Sequence, residues 1–132
     1  MTNSQDKDFV LLSKAKELIK YTLTMTDNAK RYPKKYRFTF VNRMQNLALD
    51  IFENINTANE LNVLDKEALR ERLKLQNIAI TKCKTLLFFI DLSLEYKNIV
   101  LDNRQAEVWA KYVLDVKNMA VRWHYKDRER MK

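Results

Sequence analysis

The chain has 132 residues, 46% apolar and 32% charged, with a net charge of +8, no glycine, one proline, one cysteine and one histidine. That length makes one domain with a real core. The missing glycine excludes phosphate-cradling loops, the dinucleotide fingerprint and the nucleophile elbow, all of which need glycine where backbone crowds a ligand or turns sharply. It also argues against hairpin-rich sheets. A single cysteine excludes an internal disulfide, and with one histidine there is no Cys/His set for structural zinc. The composition therefore predicts an all-helical, non-enzymatic protein of a reducing compartment, without metal or cofactor.

Four segments carry helical period. The first covers about residues 8–31, with Leu11, Ala15, Leu18, Thr22, Met25 and Ala29 on one stripe, and is expected to stop near Tyr32 because Pro33 follows. The second covers about 36–62, with Phe38, Val41, Met44, Ala48, Ile51, Ile55 and Ala58 on one face. Its asparagine-rich end leads to Asp65, a plausible N-cap. The third, about 66–95, repeats Leu69, Leu73, Gln76, Ile80, Cys83, Leu87, Ile90 and Leu94 in a four-three rhythm. Asp102 or Asn103 caps the fourth, about 104–125, with Trp109, Tyr112 or Val113, Val116, Ala120 and Trp123 facing inward. Four long helices with short connections predict an all-α, up-down-up-down antiparallel four-helix bundle. Residues 1–132 form one domain in this reading, and 1–7 and 126–132 are frayed tails. A helical hairpin that completes its core by dimerising is the alternative.

The start, Met1-Thr2-Asn3-Ser4-Gln5-Asp6, is polar and unlike a leader, and Asp91, Glu95 and Lys97 interrupt the most apolar stretch, so a soluble cytoplasmic protein without membrane contact is expected. Catalytic constellations fail in turn. His124 lacks the Glu-x-x-His partner of a di-iron bundle and reads as a helix-end surface residue. Cys83 falls on the core stripe, where a thiol behaves as a small hydrophobe. Asp50 and Asp91 lie beside core positions, where a buried carboxylate pair is conceivable but solvent or lysine contact is the commoner fate.

The charge is localised. Lys30, Arg31, Lys34, Lys35, Arg37 and Arg43 have no acid among them, and Arg122, Lys126, Arg128, Arg130 and Lys132 outnumber Asp127 and Glu129, leaving the rest near neutrality. Tyr32, Tyr36, Phe38, Phe40, Trp123 and Tyr125 are interleaved with these cations. Cations neutralise phosphates and exposed aromatics stack on unpaired bases, so both segments are candidate nucleic-acid contacts. Against this stands the possibility that Phe38 and Trp123 are core and the charges merely solvated. In an up-down bundle the two segments lie at opposite ends, giving two basic poles. The third helix is apolar nearly all round at Leu86-Leu87-Phe88-Phe89-Ile90-Asp91-Leu92, and Phe40, Leu49 and Phe52 add a surplus on the second. Phe88, Phe89, Leu92, Phe40 and Phe52 are therefore expected at an interface of a homo-oligomer.

The run Tyr32-Pro33-Lys34-Lys35-Tyr36-Arg37-Phe38-Thr39-Phe40-Val41-Asn42-Arg43, with Leu47-Ala48-Leu49-Asp50-Ile51 and Ile55, resembles the four-helix-bundle family of accessory variability determinants of diversity-generating retroelements and proteins of ribosomal RNA intervening sequences. The motif covers residues 32–55, and the length and helical pattern fit nearly the whole chain. The resemblance implies a ring, typically a pentamer, whose basic surface binds RNA or DNA and docks a reverse transcriptase without itself catalysing. Arg37 and Arg43 are the matching positions, with Lys34 and Lys35 as basic neighbours. Ala58-Asn59-Glu60-Leu61 lacks the glycine that tends to close this helix in the ribosomal branch, which favours the retroelement branch or a relative with a different partner. The competing reading is a structural or protein-interaction bundle that binds an acidic protein.

Overall fold

The computed structural model describes the backbone of residues 3–132 and the side chains from Val10 onward. Four helices carry the fold: α1 (Asn3–Thr26), α2 (Asn42–Glu60), α3 (Lys66–Glu95) and α4 (Asn103–Glu129). They form an antiparallel up-down-up-down bundle in which α2 packs on α3, α3 on α4, and α1 on both α2 and α4. α1 already begins at Asn3, so the helix covers residues 3–7 of the segment expected to fray, and residues 1–2 lie outside the described residues. Among the described residues no helix is long and apolar enough to cross a membrane.

The core is a stack of heptad layers. Leu11, Ala15, Leu18, Thr22 and Met25 face Met44, Ala48, Ile51, Ile55 and Ala58, and all are buried. On α3 the inward seam is Leu69, Arg72, Gln76, Ala79, Cys83, Leu86, Ile90 and Ser93, with Ile80 buried beside it. The spacing is three-four, so Leu73 and Leu87 move to the flank and Leu94 to the surface, one residue away from the expected rhythm. Both rhythms share Leu69, Gln76, Cys83 and Ile90, and Ile80 of the expected rhythm is buried as well; at Leu73, Leu87 and Leu94 apolarity favoured the wrong neighbour because it could not anticipate an inward arginine and serine. On α4 the seam is Ala106, Trp109, Val113, Val116, Ala120, Trp123 and Asp127. Trp109 Nε1–H donates to Thr22 Oγ1 at 3.0 Å, which lets an indole and a hydroxyl share the core without an orphaned donor.

The connection between α1 and α2 differs from expectation. α1 ends at Thr26, six residues before Tyr32, because Asn28 takes over the backbone. Its side chain accepts from Lys30 N at 2.8 Å and its carbonyl from Arg31 N and Tyr32 N, a local alternative to the helix ladder. Ala29 consequently leaves the stripe and is exposed. Next come a 3₁₀ turn (Lys34–Tyr36) and a π turn (Arg37–Val41) before α2 begins. Tyr36, Phe40, Met44 and Ala48 are all buried at steps of four, each of which overshoots an α turn by about 40°. The wider π turn absorbs part of that drift. Phe38 is then turned outward, 77% exposed, where the periodicity had placed it inward.

The α3–α4 connection solves the missing-glycine problem with Asn98, the one described residue at positive φ (70°), a conformation asparagine tolerates best after glycine. Asp65 caps α3 by accepting from Glu67 N at 3.0 Å. Asp102 and Gln105 form a reciprocal capping box on α4. α4 does not fray after residue 125. It continues to Glu129 because Asp127 is 2% exposed and tied into the bundle, correcting the reading of 126–132 as a loose tail.

Candidate nucleic-acid interface

The α1–α2 and α3–α4 connections meet at one end of the bundle. Val100 N–H donates to Arg31 O at 2.9 Å, Tyr32 Oη–H to Ser93 Oγ at 2.8 Å, and Tyr36 Oη–H to Lys97 O at 2.9 Å. Burial pushes the Tyr32 phenol up to about 12, with the Ser93 hydrogen bond opposing, so it is neutral and anchoring across the physiological range. Tyr36, Phe40, Phe89 and Tyr96 pack edge-on or tilted around one another beneath the turn, with centroids 5.5–6.0 Å apart. This floor fixes the backbone of residues 32–41 and leaves its outer side chains to solvent.

Those outer side chains are Lys34, Lys35, Arg37, Phe38 and Thr39, all exposed. Lys34 and Arg37 line a small hollow of about 70 Å³ with Thr26, Asp27, Ala29 and Val41. Lys35 lines a larger one of about 400 Å³ with Tyr36, Thr39, Phe40, Phe89, Leu92 and Tyr96. Phe38 belongs to neither lining and is exposed. Lys34 and Arg37 make no ion pair among the described residues, and Lys35 leans over the Tyr36 ring at 5.3 Å. Asp27 is the acid nearest in sequence, and its carboxylate accepts from Gln45 Nε2 at 2.9 Å. Lys30 is exposed on the approach to the turn. Arg31 is half-buried and spends one guanidinium N–H on Met25 O at 3.1 Å, capping α1, while the Arg43 guanidinium lies over the Phe89 ring at 5.6 Å.

The second basic segment is dispersed. Arg122 lies on the α1–α4 flank, in a hollow with Lys14, Lys111 and Asp115, away from the turn. Lys126 is exposed, Arg128 covers the Tyr125 ring at 5.7 Å, and Arg130 is bound to Asp127 at 3.1 Å. Trp123 is core, so of the two aromatics whose placement was open, one is buried and Phe38 is exposed.

Asp127 anchors a cluster at this opposite end. Its Oδ2 accepts from Arg72 Nε at 2.6 Å and Gln76 Nε2 at 2.7 Å. Arg72 Nη1 also donates to the carbonyls of Ala58, Asn59 and Leu61, capping α2, and the guanidinium lies over the Trp123 ring at 4.9 Å. Arg72 and Asp127 were missed as structural residues, although each stands on a heptad position of its own helix.

The remaining candidates are quickly placed. Cys83 is buried, and burial pushes its thiol up to about 12, which keeps it protonated and inert. His124 is half-buried within α4 rather than at a helix end, and burial, then Arg128, hold its imidazole below the usual value. Asp50 pairs with Lys82 at 2.7 Å and Asp91 is exposed, so the two form no carboxylate pair. Phe40 is 5% exposed, enclosed by its own chain, which removes it from the expected oligomer surface. Phe52, Phe89 and Leu92 are half-buried against the core, while Phe88 is 60% exposed. No protein-family model, curated protein or solved structure matches this chain.

Proposed function

We propose that the protein is a non-catalytic nucleic-acid-binding accessory factor that grips RNA or DNA through the turn between α1 and α2. One observation carries this reading: Lys34, Lys35 and Arg37 project from a rigidly floored turn, with the exposed Phe38 among them, and their charges are not spent on ion pairs among the described residues. Cations held this way attract phosphates and release counterions on contact. The other end contributes less, since Arg130 serves Asp127 and Arg122 lies elsewhere.

The more specific role, partner of a retroelement reverse transcriptase and homo-oligomer of pentameric form, rests on the resemblance of residues 32–55. Finding a reverse-transcriptase gene and a template/variable repeat pair beside its own gene would support it. Light scattering tests the assembly, and a stable species near the 15.9 kDa of one chain overturns it. Phe88→Asp should dissociate a ring that uses that exposed ring without unfolding the bundle.

Binding is tested by titrating labelled RNA and DNA over a salt series. On single strands log affinity should fall with log salt by about 0.7 per phosphate contacted. Lys34→Glu with Lys35→Glu should weaken binding and flatten the slope while the thermal midpoint holds. No binding by the parent in low salt refutes the reading and moves the assignment to a bundle that binds an acidic protein.

A further inference from the structure

Phe38 is the single exposed large apolar side chain between Lys30 and Val41, on a segment whose other aromatic rings, Tyr32, Tyr36 and Phe40, are all buried. The π turn that carries it keeps Tyr36 and Phe40 in the core, and so holds the ring two residues from each on the outer face. The cations next to it in the chain line two separate hollows, Lys34 and Arg37 one and Lys35 the other. We propose that the Phe38 ring is a stacking platform for one unpaired base, so that the site takes single-stranded RNA or DNA in preference to duplex. This rests on the nucleic-acid reading above and names the form of nucleic acid it selects.

The chemistry favours that occupant. An aromatic face is sequence-tolerant, because every base offers a π surface, and flanking cations meet the phosphates before and after the stacked nucleotide. A duplex keeps its base faces inside the stack and charges an unstacking cost to expose one. A membrane surface needs a broad apolar face beside the cations, and one ring does not supply it.

The test is fluorescence anisotropy with a mixed-sequence single-stranded oligonucleotide and with the duplex formed from it and its complement. Phe38→Ala should weaken single-strand binding by about tenfold, leaving duplex affinity and the salt slope unchanged. Phe38→Leu, which keeps an apolar side chain without a π face, should recover little, and Phe38→Trp should match the parent. The exposed position makes all three variants fold, which an unchanged thermal midpoint verifies. Parental single-strand affinity in Phe38→Ala, while Lys34→Glu with Lys35→Glu weakens it, overturns the stacking platform and leaves the nucleic-acid reading standing. Equal losses on both probes also overturn it, making Phe38 a general contact. A parent that binds neither probe removes both.

Discussion

The two ends of the bundle draw on the same residue types and use them oppositely. At one end Lys34, Lys35 and Arg37 stand in solvent on a turn held from beneath by aromatic packing and by phenol hydrogen bonds to Ser93 and Lys97. At the other, Arg72 and Arg130 are drawn onto the buried Asp127, and the last turns of α2 and α4 are fastened to the start of α3. A carboxylate in the core makes the difference. Where one is present, arginine is drawn inward; where the floor is aromatic, Lys34, Lys35 and Arg37 stay in solvent, and of their basic neighbours Arg31 caps α1 through Met25 O. Local charge density therefore does not identify a binding surface until the partners of each charge are known.

The largest expected effect tests the structural end. Asp127→Ala leaves Arg72 buried without its carboxylate and should cost about 3–5 kcal/mol, read from the denaturant midpoint. Arg72→Met combined with Asp127→Leu should recover much of that loss, since neither charge is then stranded. Deleting residues 126–132 should destabilise in the same way as Asp127→Ala, because it removes the anchor.

Alkali tests the interior and the basic end together. The Cys83 thiol and Tyr32 phenol both have folded pKa values raised to about 12, so each favours the folded chain while protonated. Their contributions are complete below the unfolded values, near pH 9 and 10, and are lost as pH climbs toward 12. Cys83→Ala should blunt the early part of that loss in a stability-against-pH series. Thiol reagents should react with Cys83 only once the bundle opens.

Smaller effects sharpen the account of the floor. Tyr32→Phe should cost about 0.5–1.5 kcal/mol at neutral pH, the lower end being expected because Ser93 Oγ–H keeps its acceptor at Phe89 O, 2.7 Å away. Lys34→Glu with Lys35→Glu should shift stability by no more than about 0.5 kcal/mol, as for exposed positions that touch nothing structural. A large loss there would mean that the basic turn is structural, erasing the contrast between the two ends.

The sequence alone determined the four helices, the bundle and the bounds of α3, because apolar periodicity and caps such as Asp65 act locally. It also located the two basic segments, since charge is additive along a chain. Four matters were decided by the tertiary structure. The segment after α1 left the helix at Asn28 and was held there by partners from across the bundle, Val100 N–H on Arg31 O and Ser93 Oγ on the Tyr32 phenol. The three-four seam of α3 prevailed because Arg72 and Ser93 found inward partners, Asp127 on α4 and Tyr32 on the turn, each more than fifty residues away in the chain. The residues after 125 stayed helical for the same reason. And Phe38 faces solvent, rather than the core, because steps of four from Tyr36 to Ala48 required a wider turn, and burying the rings on one side of that turn left this one outside.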